Sequence, residues 1–415
     1  MTVRSVRATD ITQNVGVAVV GAGPAGLATS SELARAGHSH VVLERERVGW
    51  SWRAQRWESF RLNTPTWANR VTGKLLHAPP DSFATARQLT DALERLARRL
   101  PVLERTEVFA AQHTGETWRL DTSRGRLCAE AVVVASGFQN VPRVPAYARD
   151  LPAAVRQLHV ADYRRPDDVG EGVLVVGGGQ SGLQIAEDLL SAGKRVFVAT
   201  SRVGRMPRRF AGRDAFAWMR DIGDLDLPRL EADEKTISAT PPQISGADGG
   251  RTVSYQALAR AGATLLGRAV GWDGHRLTLA PNLGENVQFA DDAAASLRAA
   301  WARRAELTRR SGSATHDLDP ADEAVPALYD VSGPASLDLA RPGISTVIWA
   351  TGFGPSLGWL PDSALDGRYR PQLPDLYVIG APWLTHRSSA NLYGMVTDAE
   401  RLARAISGAA PALAA

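Results

Sequence analysis

Twice along this chain of 415 residues, a short apolar run leads directly into a glycine-rich GxGxxG turn. The first run covers residues 17–20 and is followed by GAGPAG at 21–26; the second covers 172–176 and is followed by GGGQSG at 177–182. Such runs are typical of strands buried in a parallel sheet. A buried strand that ends in this turn and opens a helix can hold the pyrophosphate of a dinucleotide, so the sequence predicts two nucleotide-binding units.

The residues after the first turn complete a nucleotide-binding unit, which consists of a strand, a turn, a helix, a second strand and an acidic residue. Helical composition extends from 27 to 36 and ends at Gly37, a second apolar run covers 40–43, and Glu44 follows it. A glycine after a helix is a common C-terminal signal, and an acid at this position accepts hydrogen bonds from ribose hydroxyls. The flanking elements make the turn far more specific than an isolated glycine-rich loop.

The spacing of the glycines has a physical reason. Gly21 permits the tight turn, Gly23 lets the backbone approach a pyrophosphate, and Gly26 lets the helix pack closely on the strand. The start of the helix supplies aligned N–H groups for the phosphates. The predicted cofactor-binding residues of this unit are Gly21, Gly23, Pro24, Ala25, Gly26 and Glu44.

The second unit repeats the plan without the acid. Its helical stretch extends to Ala192 and its next strand covers 195–199. Glu44 lies 18 residues after Gly26, and the residue 18 positions after Gly182 is Thr200. Ser201 and Arg202 follow; hydroxyls and a guanidinium bind a 2′-phosphate that an acid would repel, which favours NADPH over NADH. The alternative for Arg202 is an ordinary solvated arginine. The predicted cofactor-binding residues here are Gly177, Gly179, Gln180, Ser181, Gly182, Ser201 and Arg202.

Each fingerprint is followed, much later, by a matching strand. AVVVASGF at 131–138 is similar to TVIWATGF at 346–353, and each ends in a small residue, a hydroxyl and a glycine. Short alternating strands at 102–127 and 263–279 are broken by glycines, as in an antiparallel flap. The predicted fold is α/β, with two nested Rossmann-like dinucleotide-binding domains that each carry an antiparallel flap.

Composition excludes several classes of protein. The chain carries 48 Lys and Arg against 44 Asp and Glu, a net charge of +4 that is interspersed along the sequence, so nucleic acid is not an expected partner. No stretch approaches the roughly 20 apolar residues of a membrane helix and no signal peptide is visible, so no membrane is expected and a cytoplasmic location is the default. Cys128 is the only cysteine, which excludes a CxxC redox pair, and no metal is expected.

Two such folds, one nested in the chain of the other, resemble the flavoproteins with two dinucleotide-binding domains. The disulfide reductases need a redox cysteine pair, so the remaining match is the class B flavoprotein monooxygenases, which include the flavin-containing and indole-pyruvate monooxygenases and their bacterial relatives. GWSWR at 49–53 and LNTP at 62–65 resemble family segments beside the flavin. HVADY at 159–163 is similar to the second half of the family's FxGxxxHxxx[YF] fingerprint, although Ala153 and Val155 stand where Phe and Gly are expected.

The resemblance implies FAD in the first unit and NADPH in the second. It further implies one oxygen atom from O2 inserted into a small organic substrate through a flavin C4a-(hydro)peroxide. Tyr163 stands where the Baeyer–Villiger branch usually has Trp, which favours N-, S- or C-hydroxylation. Baeyer–Villiger oxidation, a flavoprotein reductase without oxygen insertion, and a redox-sensing nucleotide-binding protein remain alternatives.

The resemblance also assigns roles to single residues. Asn63 matches the asparagine that faces the oxygen adduct, with a turn-forming residue as its alternative, and His386 is a second catalytic candidate. Asp398 lies in the segment that closes the flavin site, or is an ordinary solvated helix residue; His159 is expected to be structural. Further cofactor contacts are expected from Arg45, Trp52, Arg53, Asn63, Val108, Ala135, Gly137, Ala350, Thr351, Gly352, Ser389 and Asp398.

The predicted organisation has three parts. Residues 1–160 form the first part of the FAD domain, 161–345 the NADPH domain, and 346–415 the C-terminal part of the FAD domain. An insertion at 205–286 shapes substrate entry or is a surface loop, and one helix covers 290–310, with 311–326 as a loop. The sequence does not decide the substrate, and a homodimer is left open.

Overall fold

The computed structural model describes residues 13–73, 76–307, 319–329 and 331–408. Its helices are α1 (Pro24–Arg35), α2 (Trp50–Ala54), α3 (Ala86–Ala97), α4 (Gln180–Ser191), α5 (Ala215–Asp221), α6 (Glu234–Ser238), α7 (Tyr255–Arg260), α8 (Leu283–Leu307) and α9 (Met395–Ile406). Its strands are β1 (Gln13–Val20), β2 (His40–Leu43), β3 (Val102–Leu103), β4 (Val108–His113), β5 (Trp118–Thr122), β6 (Gly125–Val134), β7 (Val141–Pro142), β8 (Arg156–His159), β9 (Gly172–Val176), β10 (Arg195–Ala199), β11 (Arg209–Phe210), β12 (Arg213–Asp214), β13 (Thr264–Leu266), β14 (Ala269–Trp272), β15 (Leu277–Leu279), β16 (Ser336–Leu337), β17 (Thr346–Trp349), β18 (Phe353–Gly354) and β19 (Leu376–Val378).

The first sheet has a parallel core and an antiparallel flap that share one long strand. The core runs β3, β2, β1, β6, and β19 joins the second half of β6 on its far side. The first half of β6 pairs instead with β5, which continues to β4 in an antiparallel ladder. β1 is central and its apolar run is buried on both faces, as expected of a parallel strand.

The second sheet repeats this plan. All five strands are parallel in the order β13, β10, β9, β17, β8. Its separate flap consists of β14, β15 and β16. The helices α1 and α4 end before Gly37 and Gly193, both at φ +77°, a left-handed conformation that favours glycine after a helix. The predicted fold class is confirmed.

The domain boundaries lie elsewhere than predicted. β8 falls before the expected boundary at 160, and β17 after the one at 345, yet both belong to the second sheet. β17 pairs with β9 as β6 pairs with β1, so the strand that matches 131–134 has to stay in the second unit. The two chain crossings then run side by side, because β7 pairs with β18.

The insertion is shorter than the predicted 205–286. α7 and β13 belong to the second nucleotide-binding unit, and β14 and β15 to its flap, so the inserted segment ends near residue 254. The insertion packs on α8 in a cluster of its own, in which Trp218 and Trp301 are fully buried. α8 begins at Leu283 rather than at 290. The expected helix end at 308–310 and the first half of the loop at 311–326 lie outside the described residues.

Leu225 and Leu230 form a matched pair inside this insertion, 1% and 84% exposed. Leu225→Ala leaves a cavity between the insertion and α8, and we expect it to lower the free energy of unfolding by about 2–5 kcal/mol. Leu230→Ala removes a side chain that is already in water and serves as the control. Urea unfolding of both variants checks this, and equal midpoints would mean that the insertion does not pack as described.

Candidate functional site

The turn between β1 and α1 leaves free space at one glycine and none at the other two. Gly21 has φ +110°, and a Cβ there would collide with the carbonyl oxygen of Ala135 at the end of β6. A Cβ on Gly26 would collide with the carbonyl of Gly21. Gly23, the N-cap of α1, has no neighbouring heavy atom within 4 Å of such a Cβ. Two glycines therefore permit packing and the third borders open space.

The second turn is built in the same way. Gly177 has φ +121°, and its Cβ would collide with the carbonyl of Ala350 at the end of β17. A Cβ on Gly182 would collide with the carbonyl of Gly177, whereas Gly179, the N-cap of α4, faces space free of neighbours within 4 Å. Ala135 and Ala350 thus do the same work in the two units, which is the physical content of the ASGF and ATGF repeat.

Both helices begin without a side-chain cap. The N-caps of α1 and α4 are glycines and neither start receives a side-chain hydrogen bond. The first N–H groups of a helix have no partner inside the helix, so they and the helix dipole favour an anionic group in the adjoining space. Open space beside Gly23 and Gly179 at an uncapped helix start fits a pyrophosphate at each turn.

Glu44 lies at the edge of the first cradle. Its Oε2 accepts a hydrogen bond from the backbone N–H of Ala22 (2.7 Å) and its Oε1 one from that of Glu46 (2.9 Å). Burial raises the pKa of Glu44, and the two backbone hydrogen bonds counteract this shift. The carboxylate is therefore held in one orientation beside the turn, at the position where a ribose is expected.

Ser201, not Thr200, takes the corresponding position in the second unit. Ser201 Oγ accepts from the N–H of Gly178 (3.0 Å), as Glu44 does from Ala22. Thr200 faces away, and its hydroxyl donates to the carbonyl of Leu266 (2.7 Å). Tyr255 holds Ser201 from both sides: its hydroxyl accepts from the Ser201 N–H (3.1 Å) and donates to the Ser201 carbonyl (2.7 Å).

Arg202 follows directly and is exposed. Its guanidinium lies 4.5 Å from the centre of the Phe289 ring on α8, which orients the cation by a cation–π contact. No carboxylate of the described residues forms an ion pair with Arg202. An oriented, unneutralised cation beside a serine hydroxyl is suited to a phosphate monoester.

Four further residues predicted to contact a cofactor differ in exposure and in their partners. Arg45 and Arg53 are surface residues that pair with Glu107 (4.0 Å) and Glu94 (2.6 Å). Trp52 is half-buried beneath the Arg56 guanidinium (4.8 Å), and Val108 is buried in β4.

The ends of β6 and β17 carry three more of the expected contacts. Gly137 is left-handed at φ +86°. Thr351 Oγ1 donates to the Arg143 carbonyl, and the Gly352 carbonyl accepts from His159.

Asn63 lies between the two units. Its Nδ2 donates to Gln180 Oε1 (3.0 Å), and its Oδ1 accepts from Gln184 Nε2 (2.9 Å). Both glutamines are on α4, so the loop of the first unit is tied to the start of the second unit's helix. One amide proton and one lone pair of Asn63 remain available.

A buried arginine fixes the backbone of the same loop. Arg208 is 1% exposed, and its Nη1 donates to the carbonyl of Asn63 (2.8 Å). Its Nη2 pairs with Asp214 (2.7 Å), and its guanidinium stacks on Phe83 (4.1 Å). Burial lowers the pKa of Arg208 to about 10, against the opposing effect of Asp214. The insertion thereby positions Asn63.

The C-terminal segment before α9 holds a buried polar cluster. Thr385 is half-buried, while His386, Ser388, Ser389 and Asp398 are at most 4% exposed. Thr385 Oγ1 donates to Asp398, and Ser389 Oγ lies 2.7 Å from His386 Nδ1. His386 Nε2, Ser388 Oγ and Asp398 Oδ2 are buried, and none of them has a hydrogen-bond partner within the described part of the chain. Such orphan groups are costly, and together they fit the donors and acceptors of a bound polar ring.

Tyr163 and His159 of the HVADY segment make structural contacts. Tyr163 is buried and donates to Asp188 on α4 (2.6 Å), which also accepts from Ser59 of the first unit (2.7 Å). His159 Nδ1 accepts from the Ala161 N–H (3.2 Å), so its Nε2 carries the proton donated to the Gly352 carbonyl (3.0 Å). Burial lowers the pKa of His159, in keeping with a neutral ring.

Sequence reasoning missed several of these residues. Gln184 lies one helical turn after Gln180, and this i, i+4 spacing could have placed it on the same face. Arg208, Tyr255 and Thr385 carry no local signal, because their partners are distant in the chain. Among the described residues no group of three or more His, Cys, Asp or Glu could hold a metal ion, and no described helix is long and apolar enough to cross a membrane.

Comparison with known proteins finds relatives in sequence. Residues 18–209 match the pyridine nucleotide-disulphide oxidoreductase family. An uncharacterized CzcO-like oxidoreductase of Geobacillus kaustophilus is 28% identical over 94% of this chain and 97% of its own length. The indole-3-pyruvate monooxygenase YUCCA1 of rice (Oryza sativa subsp. japonica) is 31% identical over 48% of this chain and 52% of its own.

Solved structures extend the fold likeness to nearly the whole chain. A flavin-containing monooxygenase from Stenotrophomonas maltophilia aligns with a TM-score of 0.61 at 20% identity, covering 96% of this chain and 99% of its own. OTEMO in complex with FAD and NADP aligns with a TM-score of 0.55 at 16% identity, over 96% and 86%. The predicted resemblance to class B flavoprotein monooxygenases is confirmed, and the solved flavin monooxygenases share the fold of this chain.

Alanine substitutions at two glycines of the second turn are expected to affect cofactor binding and folding separately. Gly179→Ala adds a methyl group where the protein has space, so we expect an almost unchanged melting temperature and a KM for NADPH raised about tenfold or more, since the backbone can no longer approach the pyrophosphate. Gly182→Ala forces a methyl group onto the Gly177 carbonyl and should destabilise the fold by about 1–3 kcal/mol or more. Thermal unfolding and NADPH kinetics check the pair; a Gly179→Ala enzyme with unchanged KM contradicts the assignment.

Proposed function

We propose that this protein is an FAD-dependent, NADPH-using monooxygenase that inserts one oxygen atom of O2 into a small organic substrate. The observation that carries the proposal is the position of Asn63. Its loop belongs to the first cradle's unit and its amide is held by Gln180 at the start of α4 in the second. An amide at the meeting point of two dinucleotide sites is placed where a flavin and a nicotinamide come together.

FAD is assigned to the first cradle. The uncapped start of α1 and the space at Gly23 take the pyrophosphate, and Glu44 takes the ribose hydroxyls. The isoalloxazine is assigned to the region of the C-terminal segment, where His386 and Asp398 offer a buried donor and acceptor that lack partners.

NADPH is assigned to the second cradle. The start of α4 takes the pyrophosphate, and Ser201 with Arg202 takes the 2′-phosphate. A carboxylate in place of Ser201 would repel that phosphate, whereas a hydroxyl and a guanidinium both donate to it. Tyr255 keeps Ser201 in place through its two backbone contacts.

Bound FAD supplies the chemistry that accepts hydride from NADPH and activates O2. The chain's own residues orient and enclose it. Arg208 and the two glutamines fix Asn63, so that its remaining amide proton can stabilise negative charge without reorganisation. The insertion contacts the C-terminal segment by a short backbone pairing, in which Arg229 N–H donates to the Thr385 carbonyl (2.8 Å) beside the buried His386.

We assign the reaction to the hydroxylating type, on N, S or C. Tyr163 supports this choice, because a tyrosine whose hydroxyl is committed to Asp188 stands where the Baeyer–Villiger branch usually has tryptophan. The deciding experiment measures NADPH and NADH consumption in air across amines, thioethers, indoles and ketones, with the flavin absorbance recorded first. Product formed in step with NADPH supports a monooxygenase; NADPH oxidation that only feeds another acceptor identifies a reductase.

Arg202→Ala tests the assignment of the 2′-phosphate. Hydrogen bonds to a charged group contribute about 1.5–3 kcal/mol, so the preference for NADPH over NADH in kcat/KM should fall by about 10- to 100-fold. Arg341→Ala is the control. This exposed arginine precedes β17 and so lies at the amino-terminal end of the same parallel strands, whereas Arg202 lies at their carboxyl end. An unchanged preference in Arg202→Ala would make Arg202 an ordinary surface residue.

Asn63→Ala tests the role of the amide. A lost hydrogen bond of about 1–1.5 kcal/mol should lower the ratio of product formed to NADPH consumed about tenfold, with the difference released as H2O2, while flavin reduction changes little. Gln288→Ala, which removes an exposed amide on α8, is the control. Stopped-flow reduction and H2O2 assays separate the two steps, and full coupling in Asn63→Ala would rule out the role.

A further inference from the structure

The protonation of His386 is fixed by the hydrogen bonds around it, and this decides what kind of group it can bind. The inference rests on the proposed function, since it concerns the same site. His386 is 4% exposed, its Nδ1 lies 2.7 Å from Ser389 Oγ, and its buried Nε2 has no partner in the residues that the structure describes. The orientation of the ring is determined, because the reversed ring would place a carbon 2.7 Å from that hydroxyl oxygen.

Ser389 can only donate to His386. The Ser389 hydroxyl oxygen accepts the backbone N–H of Thr385 (3.2 Å) and that of His386 (3.2 Å). A hydroxyl has two lone pairs and one proton, so both lone pairs are in use and the proton has to go to a third atom. His386 Nδ1 is the nearest acceptor, and Thr385 Oγ1 is farther away at 3.3 Å.

Thr385 does not compete for His386 Nδ1. Its hydroxyl donates to Asp398 Oδ1, which lies closer to Thr385 Oγ1 than His386 Nδ1 does at 3.3 Å. Nδ1 is therefore an acceptor and carries no proton. In a neutral imidazole the other nitrogen is then the N–H, so Nε2 is a donor.

No hydrogen-bond acceptor among the described residues pairs with the Nε2 donor of His386. The adjacent cation, Arg387, is neutralised by Asp224 (Nε to Oδ1, 3.0 Å) and stacked on Trp383 (5.1 Å). Arg387 N–H donates to the carbonyl of Leu227 (3.0 Å), so the insertion holds this turn in place. A buried N–H that is rigidly oriented and unpaired costs free energy unless a ligand satisfies it.

We propose that Ser389 is a positioning residue that holds His386 as the neutral Nε2–H tautomer, so that His386 donates a hydrogen bond to a carbonyl-type oxygen bound beside it. His386 then binds and orients an oxygen acceptor and does not act as a base. A carbonyl-type oxygen can come from the pyrimidine ring of the flavin or from the substrate, and the experiment distinguishes these sources.

The first measurement is the 15N spectrum of histidine-labelled protein at neutral pH. The signals that disappear from the spectrum of His386→Gln are assigned to His386. If that variant does not fold, the signals that shift in Ser389→Ala give the assignment. We expect Nδ1 to resonate as an unprotonated nitrogen and Nε2 as a protonated one, and Ser389→Ala to populate both tautomers. Ser407→Ala, which removes an exposed serine 2.7 Å from His38 Nε2, is the control. Protonation at Nδ1 would overturn the proposal whether or not the protein turns over.

The second measurement compares His386→Leu with His386→Gln, because glutamine can restore an N–H near the Nε2 position. If the oxygen belongs to the flavin, Leu raises the dissociation constant for FAD and shifts its absorbance, and Gln restores both. If it belongs to the substrate, FAD binding is unchanged, Leu raises KM about tenfold with a smaller change in kcat, and Gln restores KM. Variants equal to the wild type in both respects would overturn the proposal.

Discussion

The structure depends on two places where a glycine backbone touches the carbonyl of a neighbouring strand. Gly21 meets Ala135 and Gly177 meets Ala350 at distances that no side chain would permit. These contacts bring α1 and α4 to the carboxyl edge of each sheet with their first N–H groups facing open space. A positive electrostatic site built from backbone alone results, and it needs no charged side chain.

The nesting of the two units converts two binding sites into one candidate active site. The chain leaves the first unit at β7 and returns at β18, and these strands pair with each other, so the crossings act as one connection. Tyr163 and Asp188 link the crossing to α4. Asn63 is thereby brought against Gln180 although 117 residues separate them. The chemistry proposed for this protein requires that closeness, since hydride has to pass between two cofactors.

The two cradles share a backbone plan but differ in charge. Glu44 and Ser201 each accept from the N–H of the second residue of the turn, Ala22 or Gly178. One side chain carries a negative charge and the other none, which makes the first edge suited to ribose hydroxyls and the second to a phosphate. Gly178 has to be a glycine because a Cβ there would occupy the position of the Tyr255 hydroxyl. The proposed preference for a phosphate at this edge is thus connected to the packing of α7.

The sequence by itself determined the two strand, turn and helix units, because the glycine spacing and the apolar runs act over fewer than about 30 residues. It also showed Glu44 at the end of the first unit's second strand and no acidic residue at the matching position of the second unit. Only the tertiary structure decided that β17 stays in the second unit, that Ser201 rather than Thr200 faces the turn, and that Arg53 is used at the surface. It alone brought Arg208, Tyr255 and Thr385 to their places, because contacts between distant segments depend on how the layers pack and leave no periodic pattern along the chain.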